Sequence, residues 1–139
     1  MDWKLEVVVI PVSDVDRAKA FYAEKAGFDL DLERSFGDEF RVVQLTPPGS
    51  ACSITIGTGI TDATPGSVHG LQLVVSDIDA ARAELVERGV EATEVRGFDP
   101  TTRTWEALPE SAPRDWGSFV FFSDPDGNRW AVQQRGGEA

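Results

Sequence analysis

Histidine, cysteine, tyrosine and methionine each occur once in these 139 residues, as His69, Cys52, Tyr22 and Met1. A single thiol excludes an internal disulfide and fits a cytoplasmic setting. A single imidazole excludes sites built on two or more histidines. No apolar run is long enough to span a bilayer, and no signal-peptide pattern opens the chain, so no membrane association is expected. Basic residues are scarce: 13 Lys and Arg face 24 Asp and Glu, for a net charge of −11. That balance argues against nucleic acid, whose phosphates need a basic surface. It would draw in a cationic small molecule, or it simply keeps the protein soluble. Gly57-Thr58-Gly59 lacks the further glycine or lysine of a phosphate loop. Cys52 has no catalytic partner in sequence and reads as core, and nothing places a serine beside His69 for triad chemistry.

What the chain does contain is an internal repeat. Val12-Ser13-Asp14-Val15-Asp16-Arg17-Ala18-Lys19-Ala20 returns as Val75-Ser76-Asp77-Ile78-Asp79-Ala80-Ala81-Arg82-Ala83, at a constant offset of 63 residues that takes Asp14 to Asp77. A β-branched run precedes each copy, and Gly27 or Gly89 follows it. Each copy therefore reads as strand, capped helix, turn, strand. Asp14 and Asp77 are N-caps, and the two glycines are helix stops.

The pattern predicts strands over Lys4–Val12, Phe28–Leu32, Phe40–Leu45 and Ala51–Ile56, with a helix over Val15–Ala26. In the second copy it predicts strands over Val68–Val75, Val90–Val95, Ser118–Ser123 and Asn128–Gln134, with a helix from Asp77 to Arg88. Asp124-Pro125-Asp126-Gly127 is a turn, and Gly136 to Ala139 should fray. Module 1 covers about 1–57, a linker 58–67, and module 2 about 68–135. Arg96 to Gly117, with Pro100, Pro109 and Pro113, reads as a long unstructured insert, a candidate gate over a binding site. The fold class is α+β: two βαβββ modules making a curved mixed sheet around a cavity.

The paired modules, the segment from Val12-Ser13-Asp14 to Phe21-Tyr22, and Asp124-Pro125-Asp126-Gly127-Asn128 before the last strand resemble the vicinal oxygen chelate superfamily. That superfamily includes glyoxalase I, extradiol dioxygenases and bleomycin-resistance proteins. The resemblance covers nearly the whole chain. In its metalloenzymes a divalent ion is held by His, Glu or Gln on the first, fourth, fifth and eighth strands. Carried over residue by residue, those positions fall on Val7, Ser53, Gly70 and Ala131. Valine, glycine and alanine offer no donor atom, so the resemblance implies the fold without a metal or other cofactor. His69 adjoins Gly70, but alternation along a strand turns it to the other face.

Alternation also predicts which side chains share a face with that quartet. They are Trp3, Leu5 and Val9 beside Val7, Thr55 beside Ser53, Gln72 and Val74 beside Gly70, and Arg129 and Gln133 beside Ala131. Trp130 falls on the opposite face. Trp105 and Trp116, in the insert, must pack on the protein, on a partner or on a flat ligand. The candidate ligand-binding set is thus Trp3, Val7, Val9, Ser53, Thr55, Gln72, Trp105, Trp116, Arg129 and Gln133. The leading reading is a metal-free small-molecule-binding protein, resembling antibiotic-sequestering members and taking a cationic or aromatic guest. A metal-independent enzyme of lyase, isomerase or oxygenase type acting on a small organic metabolite, with its acid–base group from Glu106, Glu110 or Asp115 of the insert or from elsewhere in the cavity, is the alternative. A regulatory module is the third reading. A homodimer is a further expectation from the resemblance.

Overall fold

The computed structural model describes residues 1–136. The expected fraying of the tail falls on 137–139, outside the described residues. The chain forms two compact units, the first of Met1–His69 with Asp124–Asn128, the second of Gly70–Ser123 with the chain from Arg129 onward.

In the first unit, β1 (Val7–Val9), β2 (Asp29–Phe36), β3 (Phe40–Thr46) and β4 (Ser53–Thr58) make a sheet in the order β1-β4-β3-β2. β1 runs parallel to β4, and the other pairs are antiparallel. Alternation gives the sheet two faces. Val43, Leu45, Ile54 and Ile56 are buried on one, with Ala18, Phe21 and Tyr22 of the helical segment in the same core. Asp14 caps α1 (Val15–Ala20), its Oδ1 accepting from the Arg17 amide at 3.0 Å. The predicted helix continues as a π turn over Phe21–Lys25, closed by Ala26 N–H donating to the Phe21 carbonyl at 2.9 Å. The wider turn brings Phe21 and Tyr22, one residue apart, into edge-on contact inside the core. Gly27, at φ 77°, then ends the helix.

The turn Asp124–Asn128 completes this unit. Tyr22 Oη donates to Asp124 Oδ2 at 2.7 Å, and the Asn128 amide nitrogen donates to the Pro11 carbonyl at 2.9 Å. Asp126 accepts from both the backbone and the hydroxyl of Ser13. The two motifs legible in the sequence, Val12-Ser13-Asp14 and Asp124 to Asn128, are therefore halves of one hydrogen-bonded junction.

In the second unit, β5 (His69–Val75), β6 (Arg96–Asp99), β7 (Thr104–Ala107), β8 (Phe119–Ser123) and β9 (Arg129–Gln134) form a sheet in the order β5-β9-β8-β6-β7. Asp77 caps α2 (Ile78–Glu87) through the Ala80 amide at 3.1 Å, and Gln134 Oε1 accepts from the Ile78 amide at 2.8 Å. Val120, Phe122, Trp130 and Val132 are buried on the helix side, with Phe122 and Trp130 stacked. The Asp79 carboxylate accepts from Arg114, which holds its pKa below the usual carboxylate range and pins the segment before β8 to α2.

Several predicted boundaries move. β1 is three residues rather than Lys4–Val12, and residues 1–6 lie outside any strand. β2 runs four residues past Leu32 to Phe36, because Arg34, Ser35 and Phe36 pair with Val42, Arg41 and Phe40 across a tight turn. Val90–Val95 is not a strand: its links to β8 are the Thr93 amide on the Phe121 carbonyl and the Thr93 hydroxyl accepting from the Phe121 amide, while the Val95 carbonyl accepts from the Leu108 amide. The insert is not unstructured. Its first part is the β6–β7 hairpin, which adds a fifth strand to the sheet. The hairpin escapes a sequence reading because each strand has four residues, too few for an alternation to stand out, and Pro100 marks the stretch as loop.

Candidate functional site

Each sheet has one face turned away from its helix, and those faces carry the predicted site residues. In the first unit Val7 pairs with Ser53 and Val9 with Thr55. Gln44 of β3 pairs with Thr55 and belongs to the same face. The Ser53 hydroxyl is committed locally: it shares a 2.6 Å hydrogen bond with Thr46, which in turn donates to Asp31. Trp3 lies before β1 and is almost fully exposed, so it lines no wall within this unit.

The second unit's open face is richer. Alternation puts Gly70, Gln72 and Val74 of β5 on it, with Arg129, Ala131 and Gln133 of β9. Gln72 and Gln133 touch: Gln72 Nε2 donates to Gln133 Oε1 at 2.5 Å, and Gln133 Nε2 donates to the Trp116 carbonyl at 2.7 Å. The Trp116 ring lies against Gly136, where a side chain would collide with it. Trp116 is thus fastened by both backbone and ring to the end of β9.

Trp105 is on β7 rather than in a loop. It pairs with Phe98, and its ring meets Phe98, Phe119 and Phe121 edge-on at centroid distances of 5.4, 5.1 and 4.9 Å. Phe119 and Phe121 are stacked on each other. Phe119 pairs with Gln133 and Phe121 with Ala131, so the aromatic cluster adjoins the amide row on one face. Trp105 and Phe98 are about half exposed. Edge-to-face packing satisfies ring quadrupoles while leaving apolar surface open. The sequence reading missed Phe98, Phe119 and Phe121. Carrying the alternation of β9 across the Asp124–Gly127 turn onto β8 would have found the last two.

The charge on this face differs from that of the whole chain. Its strand positions include Arg96 and Arg129 and no carboxylate, since Asp99 and Glu106 alternate to the other side. Of the candidate acid–base groups, Glu106 accepts from the Thr104 hydroxyl on an exposed edge, and Asp115 Oδ1 accepts from the Gly117 amide in a loop. His69 bonds to the Gly66 carbonyl through its ring at 3.0 Å. Among the described residues, no three His, Cys, Asp or Glu side chains converge as metal donors. At the positions where the superfamily's metalloenzymes bind their ion, the Val7–Ser53 pair offers one hydroxyl, already bonded to Thr46, while Gly70 and Ala131 offer nothing. The donor set does not fit a divalent metal.

Comparison with known proteins adds relatives to this geometry. An antibiotic-binding protein of Streptomyces sp. CB03234, TnmS3, is 34% identical, with a TM-score of 0.73 over 96% of this chain and 97% of that one. A glyoxalase/bleomycin resistance protein from the same organism is 35% identical, with a TM-score of 0.70 over 94% of this chain and all of that one. The uncharacterised YetH of Bacillus subtilis (strain 168) is 25% identical over 132 residues, 94% of this chain and 98% of YetH. A family model matches residues 4–132. With two repeated units of the same plan and a match spanning nearly its whole length, this chain belongs to the Glyoxalase/Bleomycin resistance protein/Dioxygenase superfamily.

Proposed function

We propose that this protein binds a small aromatic molecule without a metal, and that the open face of the second sheet is its principal contact. The exposed ring cluster centred on Trp105 carries the reading. A ligand laid on those rings buries their free surface, while Gln72, Gln133 and Arg129 supply hydrogen bonds along one side. Apolar contact with a few polar handles is the usual composition of a small-molecule site. The likeness to an antibiotic-binding protein supports a guest of that class. The negative charge of the whole chain would favour a cation, but the arginines on this face favour an uncharged or acceptor-bearing ring system. The enzymatic alternative lacks support of this kind, because no carboxylate lies among the strand residues of that face.

Native mass spectrometry and tryptophan-fluorescence titration against polycyclic aromatic antibiotics test the proposal. One-to-one binding that survives a chelator, with no product formed, is the expected result. Trp105→Ala should weaken it at least about tenfold. Turnover in the presence of chelator would favour the enzyme, and absence of binding across the panel would sink the binding reading.

A further inference from the structure

Two hydroxyls on the open face of the first sheet form a chain whose direction is set by its far end. Thr46 gives its hydroxyl proton to the Asp31 carboxylate, which can only accept. Thr46 Oγ1 and Ser53 Oγ stand 2.6 Å apart, so Ser53 supplies the proton of that second bond. The order is Ser53 O–H to Thr46 O–H to Asp31. Each bond polarises the next, which makes Ser53 Oγ a stronger acceptor than an isolated serine. Ser53 has committed its proton but neither of its lone pairs: no group among the described residues donates to its hydroxyl. The residue is only 9% exposed. A desolvated acceptor without a donor costs free energy, which a donor on a ligand would recover.

The far end of this chain is positioned by an irregularity in β2. Asp29 opposes Thr46 and Leu30 opposes Leu45, but a bulge then puts Leu32, not Asp31, opposite Gln44. Asp31 is the extra residue, and its carboxylate turns back onto Thr46. Bulges re-aim side chains in this way beside functional sites. On the other flank of Ser53 lies β1. Val7 pairs with Ser53 and Val9 with Thr55, and both valines are 40% exposed. Neighbouring strands are about 4.8 Å apart. A ring lying on the two valines therefore brings a substituent to Ser53 Oγ.

We infer that Ser53 accepts the hydroxyl proton of a neutral phenol whose ring lies on Val7 and Val9. The polarity of the chain selects the guest. Ser53 has no proton to offer, so a carbonyl or ether oxygen gains nothing there. A phenolate or carboxylate would meet the charge of Asp31 behind Ser53. An ammonium group would go directly to the Asp31 carboxylate, which is exposed, and leave the valines uncovered. The inference rests on the aromatic guest proposed above, but on residues of the other unit, so each can fail alone.

The probes are β-naphthol and its methyl ether, titrated at neutral pH into isotope-labelled protein and followed by NMR. They differ in whether the oxygen carries a proton or a methyl group. Wild type should bind β-naphthol about tenfold more tightly than the ether, with shifts at the amides of Val7, Ser53 and Thr55. Ser53→Ala should bring that ratio to about one while the ether's affinity stays within about twofold. Thr46→Val frees the Ser53 proton for a ligand acceptor and should lower or invert the ratio, a response that a serine merely filling space would not give. Asp31→Asn removes the charge and should reduce the ratio to about threefold. Asp31 is exposed, so this variant folds even if a buried one does not. Trp105→Ala tells the two sheets apart, because it leaves the ratio intact. If the ratio follows Ser53 and Trp105→Ala weakens neither probe, the acceptor stands and the ring cluster falls. Equal affinity of wild type for both probes, binding of neither, or a preference for β-naphthol that survives Ser53→Ala overturns the inference.

Discussion

The Trp116 carbonyl accepts from Gln133 Nε2 at 2.7 Å, and the Trp116 indole fills the space a side chain on Gly136 would need. Gly136→Ala should therefore expel the ring. We expect a red-shifted tryptophan emission with little loss of stability, under about 1.5 kcal/mol, because the displaced ring is already half exposed. An unchanged spectrum would mean that the indole is not seated there.

Gly57 is tighter still. A β-carbon on it would collide with the Arg41 carbonyl near the end of the β3–β4 ladder. Backbone cannot give way as a side-chain tip can. Gly57→Ala should destabilise the protein by about 2 kcal/mol or more in urea unfolding, and Thr58→Ala should serve as a near-neutral control.

Asp124 is buried and accepts from the Tyr22 hydroxyl, the Asn128 side chain and the amides of Asp126 and Asn128. Asp124→Ala removes the shared acceptor of those four hydrogen bonds and should cost about 3–5 kcal/mol. Tyr22→Phe removes one bond and should cost about 1–2 kcal/mol. Equal losses in the two variants would show that the junction is held by packing rather than by the carboxylate.

Glu33 joins α1 to the sheet, accepting from Lys19 Nζ at 2.6 Å and from Arg41 at 3.1 Å. The hydrogen bond from Lys19, reinforced by Arg41, holds its pKa below the usual glutamate range. A depressed folded value means that its contribution is complete above the ordinary carboxylate range and is lost as pH falls through the depressed one. Glu33→Gln should flatten the acid limb of the stability–pH curve and leave the limb above neutrality in place. Both residues are partly exposed, so the effect should be a fraction of a kcal/mol.

Much of this was legible in the sequence, for local reasons. Asp14 and Asp77 announce their helices because a short acceptor before an apolar period has few other uses, and Gly27 and Gly89 end them. The repeat fixed the order of elements, and alternation placed Gln72, Gln133 and Arg129 together. What stayed hidden depends on distant partners. Tyr22 gives no sign that Asp124 awaits it a hundred residues away. Trp105 reads as a loop residue until β6 provides its neighbour. β1 looks three times its length because Leu5, Val7 and Val9 alternate as a strand should, yet only Val7–Val9 has β4 beside it.

The junction of Asp124–Asn128 with the first unit bears on how the protein is made. Ribosomes deliver the amino-terminal unit first, at about 5–20 residues per second. Its closing turn is not yet translated at that moment. Residues 70–123 must be synthesised in between, a wait of several seconds during which Tyr22, Ser13 and the Pro11 carbonyl have no hydrogen-bond partner from that turn. The nascent half is then an open sheet with an apolar edge strand, the state most exposed to chaperones and to premature association. Release from that state comes with the turn Asp124–Asn128 and with β9 directly after it, so a stop codon before Asp124 should leave both units unfinished.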